Sequence, residues 1–302
     1  MSNKAFAAEA NSGIEALRRF ARPSNIRSIF PDDYSEGTSE EQPSNLCINP
    51  EETEIAENVM NEAELLLQYH ATSTDDYKFY HKYSEDSIEY YKLHGNIFIF
   101  KFDHKIRYPD KYNDIIEILW NSNNVKYLGN SIIKEKVARE YSPNLIITQH
   151  RYVNKPLSFY GYHYALTKKV QVSDDTTVIL STSSDIDDYN NVDRRKYTNT
   201  IVESANIFKP KIYSEKDIRN GKWTKMFVNL SGYIIQKKTN YIDITFVHSQ
   251  YKNFNNLIIL FHNLFRYFVT INTPNIDDLL TKIIHSAQIL NILRLGIILP
   301  ME

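Results

Sequence analysis

The sequence predicts an α+β protein, in the order helix, three strands, two helices, about six strands and a final helix, with long antiparallel strands. Three observations support this class. Residues 49–70 combine helix-start signals with a helix-spaced apolar stripe. Residues 77–102 hold three strand-like runs with short separations, and residues 273–296 again show a capped helix pattern. Because the connections between strands are short, we expect antiparallel hairpins rather than parallel crossovers.

The first helix has a clear predicted start. Asn49 is a suitable N-cap, Pro50 takes the first helical position, and Glu51 and Glu52 fall in the first turn. The apolar stripe that follows predicts a helix to about His70; its members are Ile55, Val59, Ala63, Leu66 and Leu67.

The next segments predict three strands and two helices. The strands are "YKFYHKY", "SIEYYKLH" and "IFIFKF", which suit antiparallel hairpins. Pro109 opens the second helix, and its apolar side holds Tyr112, Ile115, Ile116 and Leu119. A short third helix is predicted over Ile132 to Arg139.

The remaining chain predicts about six strands and a final helix. Residues 145–172 form two strands, "TTVILSTSS" continues the meander, and a polar excursion runs from Asp185 to about Arg195. "KWTKMFVNLSGYIIQKK" and "NYIDITFVHSQ" form a last pair of strands. A capped helix begins at Thr273, with a stripe of Ile276, Leu279, Leu280, Ile283, Ala287, Leu290 and Leu293. A sheet of this length curls, so the final helix can lie across its concave side.

Composition excludes several classes of protein. The net charge of −2 gives no field suited to nucleic acid. Cys47 is the one cysteine, and the nine histidines show no metal-binding spacing, so we expect no metal and no cofactor. No apolar run reaches the ~20 residues that span a bilayer. We find no nucleophile–base pair and no phosphate-binding loop, so we expect a protein that is not an enzyme.

Residues 1–47 predict a leader before a single domain over residues 48–300. "AFAAEA" has the small-x-small pattern that precedes signal-peptide cleavage, but no apolar segment lies upstream of it. Two readings stay open: the remnant of a signal peptide whose beginning lies upstream, or an ordinary alanine-rich start. The rest of the leader lacks apolar periodicity, so we expect it to be mobile.

Two strands of residues 145–172 each carry a face of mixed polarity. On the first strand this face holds Ile146, Thr148, His150 and Tyr152; on the second it holds Tyr162, Tyr164 and Leu166. Buried polar groups need partners, and a ligand that is half polar and half apolar would supply them. The alternative is that Tyr162 and Tyr164 are core tyrosines and His150 a structural histidine.

The order of elements, with "LSGYIIQKK" and "IDITFVHS", resembles the START domain, the lipid-transfer domain related to the steroidogenic acute regulatory protein. Within it the chain is most similar to the fam-a proteins of rodent malaria parasites. The residues that carry this likeness are "NPEETEIAENVMNEAELLLQYHATSTDDYKFYHK", "PDKYNDIIEILWNSNN" and "TKMFVNLSGYIIQKK".

The resemblance implies a helix-grip fold, a curved antiparallel sheet wrapped around a long C-terminal helix with one lipid between them. It also implies secretion and export, to the parasitophorous vacuole or the host erythrocyte. The chain departs from the phosphatidylcholine-carrying branch, because the two phosphate-binding positions read Val125 and Gly129 here. One position of the choline cage keeps a ring, Tyr162, whereas two others read Thr148 and Asn229.

We therefore expect a protein that holds one phosphatidylcholine-like phospholipid in a cavity gated by the C-terminal helix and that touches membranes transiently. The alternative is a surface or host-interaction protein that keeps the fold but transfers nothing. The candidate lipid-binding residues are Thr148, His150, Tyr162, Tyr164, Leu166, Asn229, Thr245, Val247, Leu280, Ile283, Ile284, Ala287 and Leu290.

Overall fold

The computed structural model describes residues 46–47, 49–121, 125–128, 131–154 and 158–251. The predicted leader up to residue 45 and the predicted C-terminal helix lie outside these residues. Within the described part of the chain, no helix is both long enough and apolar enough to cross a membrane.

Three α-helices lie in the described chain: α1 (Pro50–Thr72), α2 (Tyr112–Trp120) and α3 (Lys216–Arg219). Short 3-10 helices occupy Pro109–Lys111 and Glu203–Asn206. The predicted start of α1 is confirmed, because the Asn49 side-chain oxygen accepts hydrogen bonds from the backbone N–H groups of Glu51 and Glu52 at 3.0 and 3.3 Å. These bonds satisfy two of the amide donors that a helix leaves free at its first turn.

Eleven strands form the described sheet: β1 (Lys78–Ser84), β2 (Ser87–His94), β3 (Ile97–Ile106), β4 (Val125–Leu128), β5 (Ser131–Ser142), β6 (Leu145–Asn154), β7 (Phe159–Ser173), β8 (Thr176–Thr182), β9 (Thr224–Lys225), β10 (Ser231–Lys237) and β11 (Ile242–Tyr251). Their order across the sheet is β1-β2-β3-β11-β10-β8-β7-β6-β5-β4, with β9 beside β7. The β7–β9 pair is parallel, and the neighbours along the main path pair antiparallel. The predicted antiparallel α+β class is confirmed, including the hairpins of β1–β3 and the pair β10–β11.

The predicted third helix over Ile132 to Arg139 is wrong, because these residues belong to the twelve-residue strand β5. The apolar residues of "IIKEKVA" can be fitted to either a helix or a strand period. Pairing decides the outcome, since β5 bonds to β4 on one side and to β6 on the other. A short segment whose apolar pattern fits both a helix and a strand becomes a strand when neighbouring strands can hydrogen-bond to it.

The predicted interruption after β8 is longer than residues 185–195. Residues 183–223, which we call the cover segment, contain α3 and one 3-10 helix but no strand. The run "KWTKMFVNLSGYIIQKK" is also not one strand, because β9 and β10 are separated by residues 226–230. Buried polar side chains hold the cover segment against the sheet.

The two faces of the sheet pack on different helices. Helix α1 and the cover segment lie on one face, the α1 face, where Leu67 packs with Leu166 and Leu180. Helix α2 lies on the other, the α2 face, where Tyr112 bonds Thr177 at 2.9 Å. The apolar residues of the α2 face around Tyr112 are Ile106, Ile115, Tyr152, Ile179, Met226, Val228, Tyr233, Ile235, Ile242, Ile244 and Phe246.

Candidate functional site

The register of β6 and β7 separates the residues that the sequence grouped into one lipid-binding surface. Thr148 pairs with Ala165, His150 with His163, and Tyr164 with Gln149. Even-numbered residues of β6 therefore share a face with odd-numbered residues of β7. Thr148 and His150 lie on the α2 face, whereas Tyr162 and Tyr164 lie on the α1 face. The interpretation that these four side chains line one surface is wrong.

On the α1 face, the two tyrosine hydroxyls bind protein groups. Tyr162 donates to the Asp188 carboxylate at 2.7 Å and accepts from the Asn190 amide at 3.0 Å. Tyr164 accepts from the Gln149 amide at 2.5 Å. Burial, and then the nearby carboxylates Asp188 and Glu215, raise the pKa of both phenols. These contacts fit the alternative reading of Tyr162 and Tyr164 as core tyrosines.

Buried charges fasten the cover segment to the α1 face. Arg151 of β6 pairs with Asp217 of α3 at 2.5 Å, and Trp223 donates its indole N–H to the same carboxylate at 2.7 Å. Lys225 pairs with Asp188 at 3.2 Å. The Asp217 and Asp188 carboxylates each pair with a cation and also accept a hydrogen bond, from Trp223 and Tyr162 respectively. A buried charge requires both kinds of partner.

Glu215 is a third contact between the cover segment and the sheet. It pairs with Lys136 and accepts a hydrogen bond from Gln149 at 2.8 Å. Burial alone would raise the pKa of this carboxyl, but attraction to Lys136 and Arg151 outweighs burial and lowers the pKa to about 2. The carboxylate therefore stays charged across the neutral range.

Four further candidate residues also lie away from the α2 face or make protein contacts. Leu166 and Val247 are buried in the core under α1. Thr245 donates to Asp103 at 2.9 Å on the α1 face. Asn229 lies just before β10, and its side-chain oxygen accepts from Tyr197 at 2.8 Å. The remaining candidates lie outside the described residues: Leu280, Ile283, Ile284, Ala287 and Leu290.

The α2 face carries a row of polar side chains across four strands, which we call the polar row: Glu135, His150, Thr148, His163, Thr167 and Ser181. His150 pairs with Glu135 of β5 at 3.1 Å and bonds Thr148 at 3.1 Å. Thr148 then bonds Thr167 of β7 at 3.1 Å, and Thr167 bonds Ser181 of β8 at 3.0 Å. His150 and Ser181 are half-buried, whereas Thr148 is fully buried.

Aromatic stacking orders one end of the polar row. The His150 and His163 rings lie parallel with centroids 4.5 Å apart, and the Tyr152 hydroxyl meets His163 Nδ1 at 3.2 Å. Burial, and then repulsion from a charged His150, hold the pKa of His163 well below its ordinary value. His163 is therefore a neutral ring that can both donate and accept hydrogen bonds.

Sequence reasoning missed four members of the polar row: Glu135, His163, Thr167 and Ser181. Their positions alternate correctly along β5, β7 and β8, so strand periodicity was an available signal. The alternation of residues within a strand does not predict the register between strands. A register shift of one residue moves every side chain of a strand to the opposite face of the sheet. Among the described residues, no three His, Cys, Asp or Glu side chains converge as a metal site would need.

No protein-family model matches the sequence, and no curated protein matches it. Among solved structures, the chain is similar to human StAR-related lipid transfer protein 5, with 9% identity over 80% of this chain and 98% of that one, at a TM-score of 0.46. It is also similar to human STARD10, with 9% identity over 73% and 76% of the two chains and a TM-score of 0.42.

A third similar structure is the lipid transfer and protein localization domain of human StarD13, with 8% identity, coverage of 77% and 95%, and a TM-score of 0.38. At these identities and TM-scores, the likeness assigns neither a family nor a ligand to this chain.

Proposed function

We propose that this chain binds one amphipathic lipid against the α2 face and carries it between membranes. The observation that supports this most is the composition of that face. A polar row with three half-buried members, Glu135, His150 and Ser181, crosses a sheet face that also carries large apolar side chains such as Ile179 and Phe246. The described elements also follow the order expected from the sequence, except that the third expected helix is strand β5.

The apolar part of this face suits acyl chains. Two acyl chains hold roughly 30 methylenes, and each contributes about 0.8 kcal/mol on leaving water, so unaided desorption costs on the order of 20 kcal/mol. A carrier lowers this cost only by offering a dry surface. Aromatic and aliphatic side chains of β3, β8, β10 and β11 provide such a surface on the α2 face.

The polar row suits a headgroup or glycerol esters. A threonine or serine hydroxyl has one donor and two acceptor positions, so Ser181 retains capacity after bonding Thr167. Glu135 contributes a carboxylate to the row, and none of its six members is a lysine or arginine. We therefore infer a headgroup without net negative charge, which includes the phosphatidylcholine-like headgroup expected from the sequence. Gating by the C-terminal helix is part of the same proposal.

Mass spectrometry of lipid retained by the purified protein tests the proposal. We expect one class of amphipathic lipid, neutral or zwitterionic, to co-purify, and we expect labelled lipid to move between vesicles faster when the protein is present. Ser181→Phe adds a ring to the α2 face and should lower retained lipid by about ten-fold, equivalent to 1.4 kcal/mol. Val172→Phe adds the same ring at an exposed position of β7 and is the matched control.

Two results would contradict the proposal: no lipid in the folded wild-type protein, or equal lipid retention by Ser181→Phe and Val172→Phe. The first result would favour the alternative of a surface or host-interaction protein that transfers nothing. Exposed aromatic and basic side chains of the cover segment, such as Tyr213 and Arg194, give that alternative specific support.

The proposal also covers location. The resemblance to exported parasite proteins, together with "AFAAEA", supports secretion and delivery to the vacuole or the host cell. Imaging a tagged full-length protein in its native cell tests this part by itself: a signal confined to the cytosol of the producing cell would contradict export and would leave lipid binding unaffected.

A further inference from the structure

Two stretches of the cover segment, one around Asp187 and one around Lys211, run side by side. In each of them, side chains point alternately towards the sheet and away from it. The Asp187 N–H donates to Pro210 O at 3.1 Å, and the Ile212 N–H donates to Asp187 O at 2.9 Å. Along one stretch Asp188 is buried and Tyr189 is exposed; along the other Tyr213 is exposed and Ser214 is buried. The inner residues contact the sheet, so the outer residues form a surface on the far side of the cover segment.

The buried residues hold this surface in place from below. Asp188 bonds Tyr162 and Lys225 of the sheet, and the Ser214 hydroxyl donates to Asp188 O at 2.5 Å. The ring of Tyr189 is displayed from a left-handed backbone, with φ at 58°. That conformation is unfavourable for a residue with a Cβ, and such outliers persist where the surrounding contacts hold the backbone in place.

Exposed side chains over these anchors, together with the half-buried Arg219, form a patch, which we call the Tyr–Arg patch: Tyr189, Val192, Arg194, Tyr213, Lys216 and Arg219. Tyr189, Val192 and Tyr213 are exposed by 42%, 69% and 60%. The Tyr189 and Tyr213 rings meet at 5.5 Å, and the Arg219 guanidinium lies 4.0 Å from the Tyr213 ring centre. The Asn191 N–H donates to Arg219 O at 3.3 Å, which places Val192 beside α3.

The charge of the Tyr–Arg patch is positive. Within the described chain, Arg194, Lys216 and Arg219 form no ion pair with a carboxylate, whereas the neighbouring Asp193 is paired with Arg195 at 2.5 Å. Asp187 is the exposed acidic residue beside the patch, and its carboxylate accepts the Tyr189 N–H at 3.2 Å. Two exposed cations and the half-buried Arg219, none of them in an ion pair with a described carboxylate, thus lie around two rings and match a partner with carboxylates and an apolar side chain.

We propose that the Tyr–Arg patch binds an acidic protein segment that carries an apolar anchor residue. Tyrosine and arginine are the side chains most enriched at protein–protein hot spots, and rigid rings lose little conformational entropy on binding. The patch lies on the cover segment, across the sheet from the polar row. A membrane held at the patch would therefore face the wrong side of the sheet for the lipid site, whereas a bound protein leaves that site accessible.

The choice of protein over membrane rests on the proposed lipid site, so the experiment measures both. Short random peptides displayed on phage are selected on the wild-type protein, and the selected peptides are synthesised with a fluorescent label for anisotropy. We expect them to be enriched in Asp and Glu with one aliphatic or aromatic residue. Arg219→Glu and Tyr213→Ala should each weaken binding by about ten-fold or more, and Arg219→Lys should retain part of it.

Tyr69→Ala and Lys82→Glu are the matched controls, since Tyr69 is an exposed tyrosine on α1 and Lys82 an exposed lysine on β1; neither should change the affinity. Selected peptides without acidic enrichment, or peptides bound equally by the patch variants, would overturn the proposal. So would phosphatidylserine-containing vesicles that bind the wild type and not the patch variants, because the patch would then be a membrane surface. Lipid retention is measured for the same patch variants. If they lose peptide binding but retain as much lipid as the wild type, the outcome for the patch is independent of the outcome for the proposed carrier function.

Discussion

The ion pair of Arg151 and Asp217 shows how single residues hold the cover segment on the sheet. Both side chains are buried, and Asp217 also accepts the Trp223 indole N–H. The Arg151 guanidinium lies 4.3 Å from the Trp223 ring centre. The buried Asp217 carboxylate is tolerated because Arg151 supplies its counter-charge and Trp223 supplies a further hydrogen bond.

We expect Asp217→Ala to lower the free energy of unfolding by about 3–5 kcal/mol, because it leaves Arg151 buried without its counter-charge. Urea unfolding followed by circular dichroism measures this loss. Glu85→Ala is the control, since its pair with Lys82 is solvent-exposed and contributes no more than about 1 kcal/mol. Equal losses in the two variants would mean that the buried pair does not fasten the cover segment.

Buried histidines make stability depend on pH. Burial lowers the pKa of His104 from 6.5 to about 4, and its Nδ1 lies 2.6 Å from the Ser87 hydroxyl. The unfolded chain binds the proton more readily, so the stability from this group is complete above pH 6.5 and is lost as the pH falls towards 4. The slope is about 1.4 kcal/mol per pH unit for each such group.

His104→Gln tests this dependence, because glutamine does not titrate and can keep a bond to Ser87. We expect the variant to lose less stability than the wild type between pH 6.5 and 4.5, as measured by urea unfolding at several pH values. Parallel pH profiles for the two proteins would contradict the lowered pKa of His104. His70, whose pKa burial also lowers to about 4, should keep part of the slope in both proteins.

At the scale of an element, α1 is held by one narrow stripe. Leu67 is 0% exposed and Leu65 is 69% exposed, although both are leucines two positions apart on the same helix. Across from Leu67, an added Cβ at Gly232 would lie 2.8 Å from the leucine side chain and 2.7 Å from Ile179 O. The helix therefore approaches β10 closely, and a side chain at Gly232 would push the two elements apart.

The matched pair Leu67→Ala and Leu65→Ala measures this packing. We expect Leu67→Ala to lower the free energy of unfolding by about 2–5 kcal/mol, through lost burial and a residual cavity. Leu65→Ala should change it by less than about 0.5 kcal/mol, because its side chain stays in water. Thermal or urea unfolding gives both values, and similar losses would show that α1 does not pack through this stripe.

The elements also show which structure the sequence could predict. The cap at Asn49 and the stripe through Val59 and Ala63 predicted α1 correctly, because both signals are local. The run from Ile132 to Arg139 was predicted as a helix and is strand β5, because its pairing partners are distant in the sequence. Local patterns cannot weigh hydrogen bonds that a neighbouring strand supplies.

The candidate site was only partly predictable for a related reason. Thr148 and His150 were recognised as polar residues on one strand face, and the structure places both in the polar row. Tyr162 and Tyr164 were assigned to the same surface, but the register turns them towards the cover segment. Their partners Asp188 and Gln149 could not be identified from spacing, because the cover segment folds back from a distant part of the sequence.

At the scale of the whole molecule, one sheet separates two kinds of buried surface. The α1 face is closed by buried ion pairs and by a packed helix, and its polar groups bind one another. The α2 face combines the polar row with large apolar side chains. We therefore propose that a lipid binds the α2 face and that a protein partner binds the outer side of the cover segment.

Photo-crosslinking with a lipid that carries a diazirine on its acyl chain tests this assignment most directly. On β8 and β10, adjacent residues point to opposite faces, so mass spectrometry of the adducts reports the face at single-residue resolution. We expect adducts on Ile179, Tyr233 and Phe246. Adducts on Val178, Leu180 and Ile234 instead, or no adducts above those of free diazirine, would contradict the assignment.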